Sequence, residues 1–306
     1  MSALALLCSG QGGQHAAMFA LTESAPAAAP VFEAAAALLG ADPRNLASSG
    51  RGLHDNRTAQ ILCCTGALAL AAALSGSIRD ARIVAGYSVG ELAAWGIAGL
   101  LTPAQVLTLA AARAGAMDQA AAAAPGGLLA IRGLPRAAAD ALAATHGAHL
   151  AIRVADDHAV YGGASEPLVA LAAAVGPAGG VAQRLPVAIA AHTKLMAPAA
   201  AAFGHALASL PLPARPPGPA RLLSGIDGAA VLSTAAGRDK LAAQVAHTVD
   251  WQACLESCAA ARVDRVLELG PGHALAAMAS AALPRAQTRA AEAFRTLVGL
   301  QDWLDG

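Results

Sequence analysis

Gly86-Tyr87-Ser88-Val89-Gly90 sets a serine between two glycines. A serine hydroxyl attacks a carbonyl carbon when a base takes its proton. A β-branched run, Ile83-Val84, leads in, and an apolar helical pattern through Leu92 and Trp95 leads out. That is the sequence form of a nucleophile elbow, a sharp strand-to-helix turn whose flanking residues must be small. The turn sets Ser88 at a helix N-terminus, where free N–H groups and the helix dipole favour developing negative charge. In a chain with 31 glycines the pentapeptide could also be an ordinary tight turn. The strand before it and the helix after it favour the elbow.

The base must come from the nine histidines, whose pKa suits proton transfer near neutrality. His192 sits at a junction, where a stretch of different texture ends; its alternative reading is a solvated loop histidine. His15, His54, His146, His149, His158, His205, His247 and His273 lack such a context and read as surface or structural. The order serine then histidine is that of α/β-hydrolases, but no acid after Ser88 stands out as a third member. A backbone carbonyl could orient the histidine instead. The Val89 N–H and an N–H in the glycine-rich turn at Gln11 could form an oxyanion hole. That turn, Ser9–His15, lacks the Lys-Ser/Thr of a phosphate loop and the dinucleotide spacing. Arg113 stands in a very apolar helix, either snorkelling to the surface or fixed as a cation facing a pocket.

The elements that must hold these residues follow from pattern. The 306 residues are 56% hydrophobic, 13% charged and 3% aromatic, enough for a large core of Leu, Val, Ile and Ala. Twenty basic and twenty acidic residues balance, and no basic stripe suggests nucleic acid. No apolar run is long enough to span a membrane, and Ala3–Cys8 reads as a first strand, not a signal peptide. Five cysteines without Cys-x-x-Cys spacing suggest reduced thiols in the cytoplasm and no metal site; Cys254 and Cys258 read as packing residues.

Helices are expected at 30–39, 58–75 and from Thr102-Pro103 to about Ala124, with Thr as N-cap. A strand at 82–85 precedes the elbow. From Pro125-Gly126-Gly127 the order is strand 128–132, helix 135–146, strands 149–154 and 159–162, helix 165–175, strand 181–187. That β-α-β-β-α-β order is the split-βαβ, or ferredoxin-like, pattern. Residues 126–190 are thus expected to be a small domain inserted into a large one made of 1–125 and 191–306. The Pro-rich 211–219 reads as a stiff connector. Strand 220–224, helices 237–247 and 250–262, strand 263–269, a helix from 273, a strand at 286–290 and a last helix complete the chain. The fold class is α/β, with a large α/β-hydrolase-like domain around a mainly parallel sheet.

Several motifs, in order, carry a resemblance. Gly10-Gln11-Gly12-Gly13-Gln14 resembles the Gly-Gln-Gly-Ser-Gln of malonyl-CoA:acyl-carrier-protein transacylases. Gly86–Glu91 resembles their Gly-His-Ser-x-Gly-Glu, and Arg113 falls where they carry an arginine. Ala191–Met196 resembles their Ser-His-x-x-Leu-Met, and Glu268–Gly272 their Glu-x-Gly-Pro-Gly. The inserted ferredoxin-like domain is also their architecture. The resemblance implies that Ser88 takes malonyl from coenzyme A as an ester, with His192 as base and then acid. It implies that the Gln11 and Val89 backbone holds the oxyanion, that Arg113 pairs with the malonyl carboxylate, and that the Gln244 main-chain carbonyl orients His192. A carrier-protein thiol would then accept the acyl group. The coenzyme A thioester is a substrate, and no permanently bound cofactor or metal is implied.

Departures are Tyr87 for the His of Gly-His-Ser, Cys8-Ser9 for Phe-Pro, Ile61 for the Pro after Gln60, and Ile152–Asp157 where an Asn-rich strand is expected. The Gly86–Trp95 segment is most similar to the transacylase subunit of biotin-independent malonate decarboxylase, which loads the carrier subunit of its own complex. The alternatives are a transacylase of fatty-acid or polyketide synthesis, a serine acyl-hydrolase on this scaffold, and a non-catalytic docking subunit.

Overall fold

The computed structural model describes residues 3–306; residues 1 and 2 of the expected 1–125 segment lie outside it. The chain opens with β1 (Leu4–Cys8), buried on every residue, as a strand covered on both faces must be. Helices α1 (Ala29–Leu39), α2 (Pro43–Ser49) and α3 (Asn56–Ala73) follow; α2 had no apolar period to announce it. Strand β2 (Ile83–Gly86) enters the elbow and α4 (Gly90–Ile97) leaves it. Helix α5 (Pro103–Ala123) starts in a full capping box: the Thr102 side chain accepts from the Gln105 N–H while Gln105 accepts from the Thr102 N–H.

Strands β3 (Gly126–Arg132), β4 (His149–Ala155), β5 (His158–Ala164) and β6 (Val181–Arg184) alternate with helices α6 (Arg136–Thr145) and α7 (Ser165–Val175) in the split-βαβ pattern. Then come α8 (Ala197–Ala208), β7 (Arg221–Leu222), α9 (Thr234–Ala243), β8 (Val249–Asp250), α10 (Trp251–Ala260), β9 (Arg265–Leu269), α11 (Ala274–Ala282), β10 (Gln287–Ala290) and α12 (Leu297–Asp305). No described helix is long and apolar enough to cross a membrane.

These strands build two sheets. One is wholly parallel, in the order β10-β9-β1-β2-β7. The other is mixed, in the order β6-β3-β5-β4-β8. Strand β3 shows why the second sheet is covered twice. Leu128 and Ala130 pack into the main core, whereas Leu129 and Ile131 join a separate apolar cluster with Leu142, Leu168 and Leu171 of α6 and α7. Side chains of period two serve two cores.

Three expectations change. The strand expected at 181–187 ends at Arg184. The strand expected at 220–224 pairs over only Arg221–Leu222. The helix expected at 237–247 ends at Ala243, because the chain turns to pair Val249 and Asp250 with Ile152 and Arg153 of β4. That short parallel pairing was not foreseen, and it ties the large sheet's connections to the second sheet. The Arg153–Asp250 ion pair, 3.0 Å, and the Thr248 hydroxyl donating to the Leu150 carbonyl, 2.8 Å, reinforce it.

Strands β1 and β2 run parallel with Cys8 opposite Gly86, so the glycine-rich turn and the elbow leave the sheet side by side. Ligand sites of such sheets lie beyond the carboxyl ends of the strands. The close approach depends on glycine. A Cβ on Gly86 would overlap the backbone of Gly90 and Glu91, and one on Gly90 the Cys8 carbonyl. Gly90→Ala is therefore expected to cost about 1–3 kcal/mol through overpacking. Gly115→Ala, at an exposed helical position with nothing near its Cβ, should instead gain about 0.5–1 kcal/mol. Thermal unfolding of both variants checks this, and equal midpoints would show that the elbow yields.

Candidate active site

Ser88 adopts φ 57° and His192 φ 62°, in the left-handed region that non-glycine residues avoid. Two such residues facing each other mark a place where the surrounding structure enforces the geometry. The Ser88 hydroxyl lies 2.8 Å from His192 Nε2. His192 Nδ1 lies 2.6 Å from the Gln244 carbonyl oxygen, and the His192 N–H donates to the Val245 carbonyl. A carbonyl only accepts, so Nδ1 carries the proton. In a neutral ring Nε2 then offers its lone pair, and the Ser88 hydroxyl donates to it.

The ring is neutral at pH 7. His192 is 1% exposed. Burial, and then the Arg113 cation nearby, lower its pKa from 6.5 to about 3. Burial disfavours the charged imidazolium, and a like charge disfavours it further.

Arg113 of α5 does not snorkel; it is 1% exposed. Nη1 donates to Gln60 Oε1 at 2.7 Å, and Nη2 to Gln244 Oε1 and the Ser88 hydroxyl, both at 3.4 Å. Burial brings its pKa down to about 10, still cationic at pH 7. Among the described residues it forms no ion pair. A buried cation held by neutral amides is short of a counter-charge.

Val89 is the N-cap residue of α4, and Gln11 lies in the turn after β1. Among the described residues, neither N–H is engaged by another group. A cavity of about 610 Å³ runs from Gly10, Gln11 and Tyr87 outward between the two sheets. Ala130, Val160, Leu185, Val187 and Met278 give it apolar walls, and His15, Arg132, His158 and His273 also border it. Three histidines read as surface or structural therefore line the cavity, although only His192 bonds Ser88. Tyr87 packs edge-on against Trp251, ring centroids 5.3 Å apart. All five cysteines are free and buried.

Sequence reasoning gave no role to Gln60, Asn56 or Glu91. Gln60 Nε2 donates to Asn56 Oδ1 at 2.8 Å, and the Gln11 amide donates to the same oxygen at 3.3 Å. Glu91, wholly buried on the first turn of α4, accepts from the Gly225 N–H at 3.0 Å and from the Gln244 amide. The available signal was a polar residue inside an apolar helical run, at Gln60 in α3 and at Glu91 just after the elbow.

A serine on an elbow, a neutral histidine on its hydroxyl and a buried arginine beside both suit an acyltransferase, and the model of the acyl transferase domain family matches residues 5–299. The malonyl CoA-acyl carrier protein transacylase of Mycobacterium tuberculosis is 33% identical over 297 residues, covering 94% of this chain and 95% of its own. That of Salmonella typhimurium is 31% identical over 285 residues, covering 90% and 91%. The crystal structure of MCAT from Mycobacterium tuberculosis superposes with a TM-score of 0.90 at 31% identity over 99% of both chains. This chain belongs to the malonyl-CoA:acyl-carrier-protein transacylase family, and it is an acyltransferase of that type.

With the His192 pKa lowered, the imidazole stays unprotonated, and so stays a base, as pH falls through 6.5. Labelling of Ser88 by a small fluorophosphonate should therefore hold its rate down to about pH 5. His192→Ala should slow labelling by about a hundredfold or more. The rate is read by mass spectrometry across pH, and a half-loss near pH 6.5 would show an ordinary imidazole.

Proposed function

We propose that the protein moves a malonyl group from coenzyme A to the thiol of a free-standing acyl carrier protein. The observation that carries the reading is Arg113, buried beside Ser88 without a carboxylate partner. A donor with a free carboxylate supplies the missing charge, and a planar guanidinium holds it by two parallel hydrogen bonds.

The steps follow from the hydrogen-bond directions. The Ser88 oxygen attacks the thioester carbonyl as its proton passes to His192 Nε2. Charge on the carbonyl oxygen falls to the Val89 and Gln11 N–H groups. The C–S bond breaks, His192 returns the proton to the leaving thiolate, and a malonyl ester remains on Ser88. The carrier thiol then gives its proton to His192 and attacks the ester, and Ser88 leaves with that proton. The two half-reactions make a ping-pong sequence. The Gln244 carbonyl holds the imidazolium formed in each half. The apolar-walled cavity suits the extended thioester arm. Residues 126–190 act here as an inserted small domain, a reading supported by their separate apolar cluster.

Relatives above 30% identity bear the name malonyl CoA-acyl carrier protein transacylase, which favours a carrier of fatty-acid or polyketide synthesis. The second reading is loading of a malonate decarboxylase carrier subunit. The Gly86–Trp95 segment, with Tyr87 facing the cavity, supports it.

Intact mass after brief exposure to malonyl-CoA or acetyl-CoA tests the reading. A malonyl adduct is expected on the wild type, little acetyl adduct, and neither on Ser88→Ala. Arg113→Ala should lower the malonyl-to-acetyl preference by about ten- to a hundredfold. Unchanged preference would remove the arginine from donor recognition, and release of free coenzyme A without adduct or carrier would indicate a hydrolase. Adding each purified carrier to the acyl-enzyme then decides between the two carriers.

A further inference from the structure

Gln244 serves the site twice. Its main-chain carbonyl takes the His192 Nδ1–H. Its side chain lies between Arg113 on one side and Glu91 on the other. The direction of that side-chain amide is fixed by what surrounds it. Oε1 meets Arg113 Nη2, which only donates. Nε2 meets Glu91 Oε2 and the Ser88 carbonyl, which accept. Turned over, the amide would set two donors against each other at Arg113 and two oxygens against each other at Glu91.

We propose that Glu91 is a positioning residue for donor selection, holding the Gln244 amide so that its oxygen faces Arg113 and its N–H₂ faces the Ser88 carbonyl. The inference rests on the reading of Arg113 given above. Three further observations support it. The Gly225 N–H donates to the same Glu91 oxygen, and a Cβ at Gly225 would come within 2.8 Å of that oxygen and 3.2 Å of Gln244 Nε2. Backbone and glycine thus close around one carboxylate orientation. Glu91 also stands on the first turn of α4, where the helix dipole favours an acid. Finally, the second carboxylate oxygen, Oε1, is buried without a partner. It can carry a proton while Oε2 keeps both of its hydrogen bonds. Burial raises the Glu91 pKa to about 7, and a proton on Oε1 leaves Oε2 as the acceptor for both Gly225 and Gln244.

The Ser88 carbonyl shares its peptide unit with the Val89 N–H. The Glu91 N–H donates to that carbonyl at 3.1 Å and Gln244 Nε2 at 3.4 Å. One acid therefore sets, through one amide, the acceptor that Arg113 meets, while the Ser88 carbonyl keeps its shorter hydrogen bond from the Glu91 backbone N–H whatever the side chain.

The test uses the full chain with malonyl-CoA and acetyl-CoA as donors. Glu91→Leu removes the acceptor; Glu91→Gln can keep an oxygen at the Oε2 position, as the protonated acid does. Glu91→Leu should lower kcat/KM for malonyl-CoA by about tenfold, mostly through KM, and change acetyl transfer by less than about threefold. Glu91→Gln should stay near wild type in donor preference. Gln244→Met, which keeps the main-chain carbonyl, should reproduce the loss, and adding Glu91→Leu to it should cause no further loss, because Glu91 acts through Gln244.

A residue that only supports the fold would lower both donors together, in step with the thermal midpoint. The inference is overturned if Glu91→Leu or Gln244→Met keeps the wild-type preference, if Glu91→Gln loses as much as Glu91→Leu, or if the two losses add. Should Glu91→Leu not fold, Gln244→Met decides. A wild type without malonyl preference overturns the function proposed above and this inference with it; a preference that the variants retain overturns this inference alone.

Discussion

A carbonyl oxygen can accept a hydrogen bond and cannot give one, and the geometry of the site depends on that fact at Gln244. Its oxygen, 2.6 Å from His192 Nδ1, fixes where the imidazole proton sits. The other nitrogen is then a lone pair, and the Ser88 hydroxyl must point at it. A carboxylate would do the same and would also raise the histidine's basicity. The carbonyl orients without adding a full negative charge, so burial and Arg113 together keep the ring neutral. For that carbonyl to be available, α9 must end before it. Within a longer helix, Gln244 would spend its carbonyl on the N–H four residues on. The pairing of Val249 and Asp250 with β4 draws the chain away at that point. The second sheet, through its pairing with β8, thereby helps to set the tautomer of His192.

The elbow obeys a comparable constraint. β1 and β2 pair through Cys8 and Gly86, and the two turns that follow them must pass each other with almost no space. Gly10 lies against the Tyr87 carbonyl and Gly90 against the Cys8 carbonyl. The left-handed backbone at Ser88 sits within this close packing, and that at His192 is held by the Val245 and Gln244 carbonyls. Side chains of a core so rich in alanine are small, and backbones approach where larger residues would hold them apart. Rigid backbone, more than bulky side chains, holds the reacting groups.

What the sequence revealed and what it hid follow from the range of the interactions. The elbow was legible because glycine spacing, the strand before it and the helix after it are local. The Thr102 cap and the split-βαβ order were legible for the same reason, through a capping residue and alternating periods. The end of α9 was not, because residues 244–247 carry no helix breaker; a tertiary pairing ends the helix. Strand β8 is too short to show a period. Resemblance brought Gln244 forward by its main chain, but its side-chain role and that of Glu91 require knowing that α4 and the end of α9 meet. Gln60 was visible only as a polar interruption in a helix of apolar residues, and nothing local says that it faces Arg113. His15, His158 and His273 show the limit from the other side, since three segments far apart in sequence bring them to one cavity.

The electrostatics of the site turn on keeping acid and cation one amide apart. Were Glu91 in direct contact with Arg113, the pair would satisfy itself, and an incoming carboxylate would have to compete with a partner already in place. Were there no acid at all, a wholly buried guanidinium would face only neutral groups, and its desolvation would weigh fully on the fold. Placing Gln244 between them transmits orientation by hydrogen bonds while leaving the guanidinium's charge uncompensated toward the side where Ser88 lies. The attraction of Glu91 for Arg113 falls with distance, but the direction of the amide does not. A neutral side chain thus lets the fold hold a buried cation whose charge stays open toward Ser88.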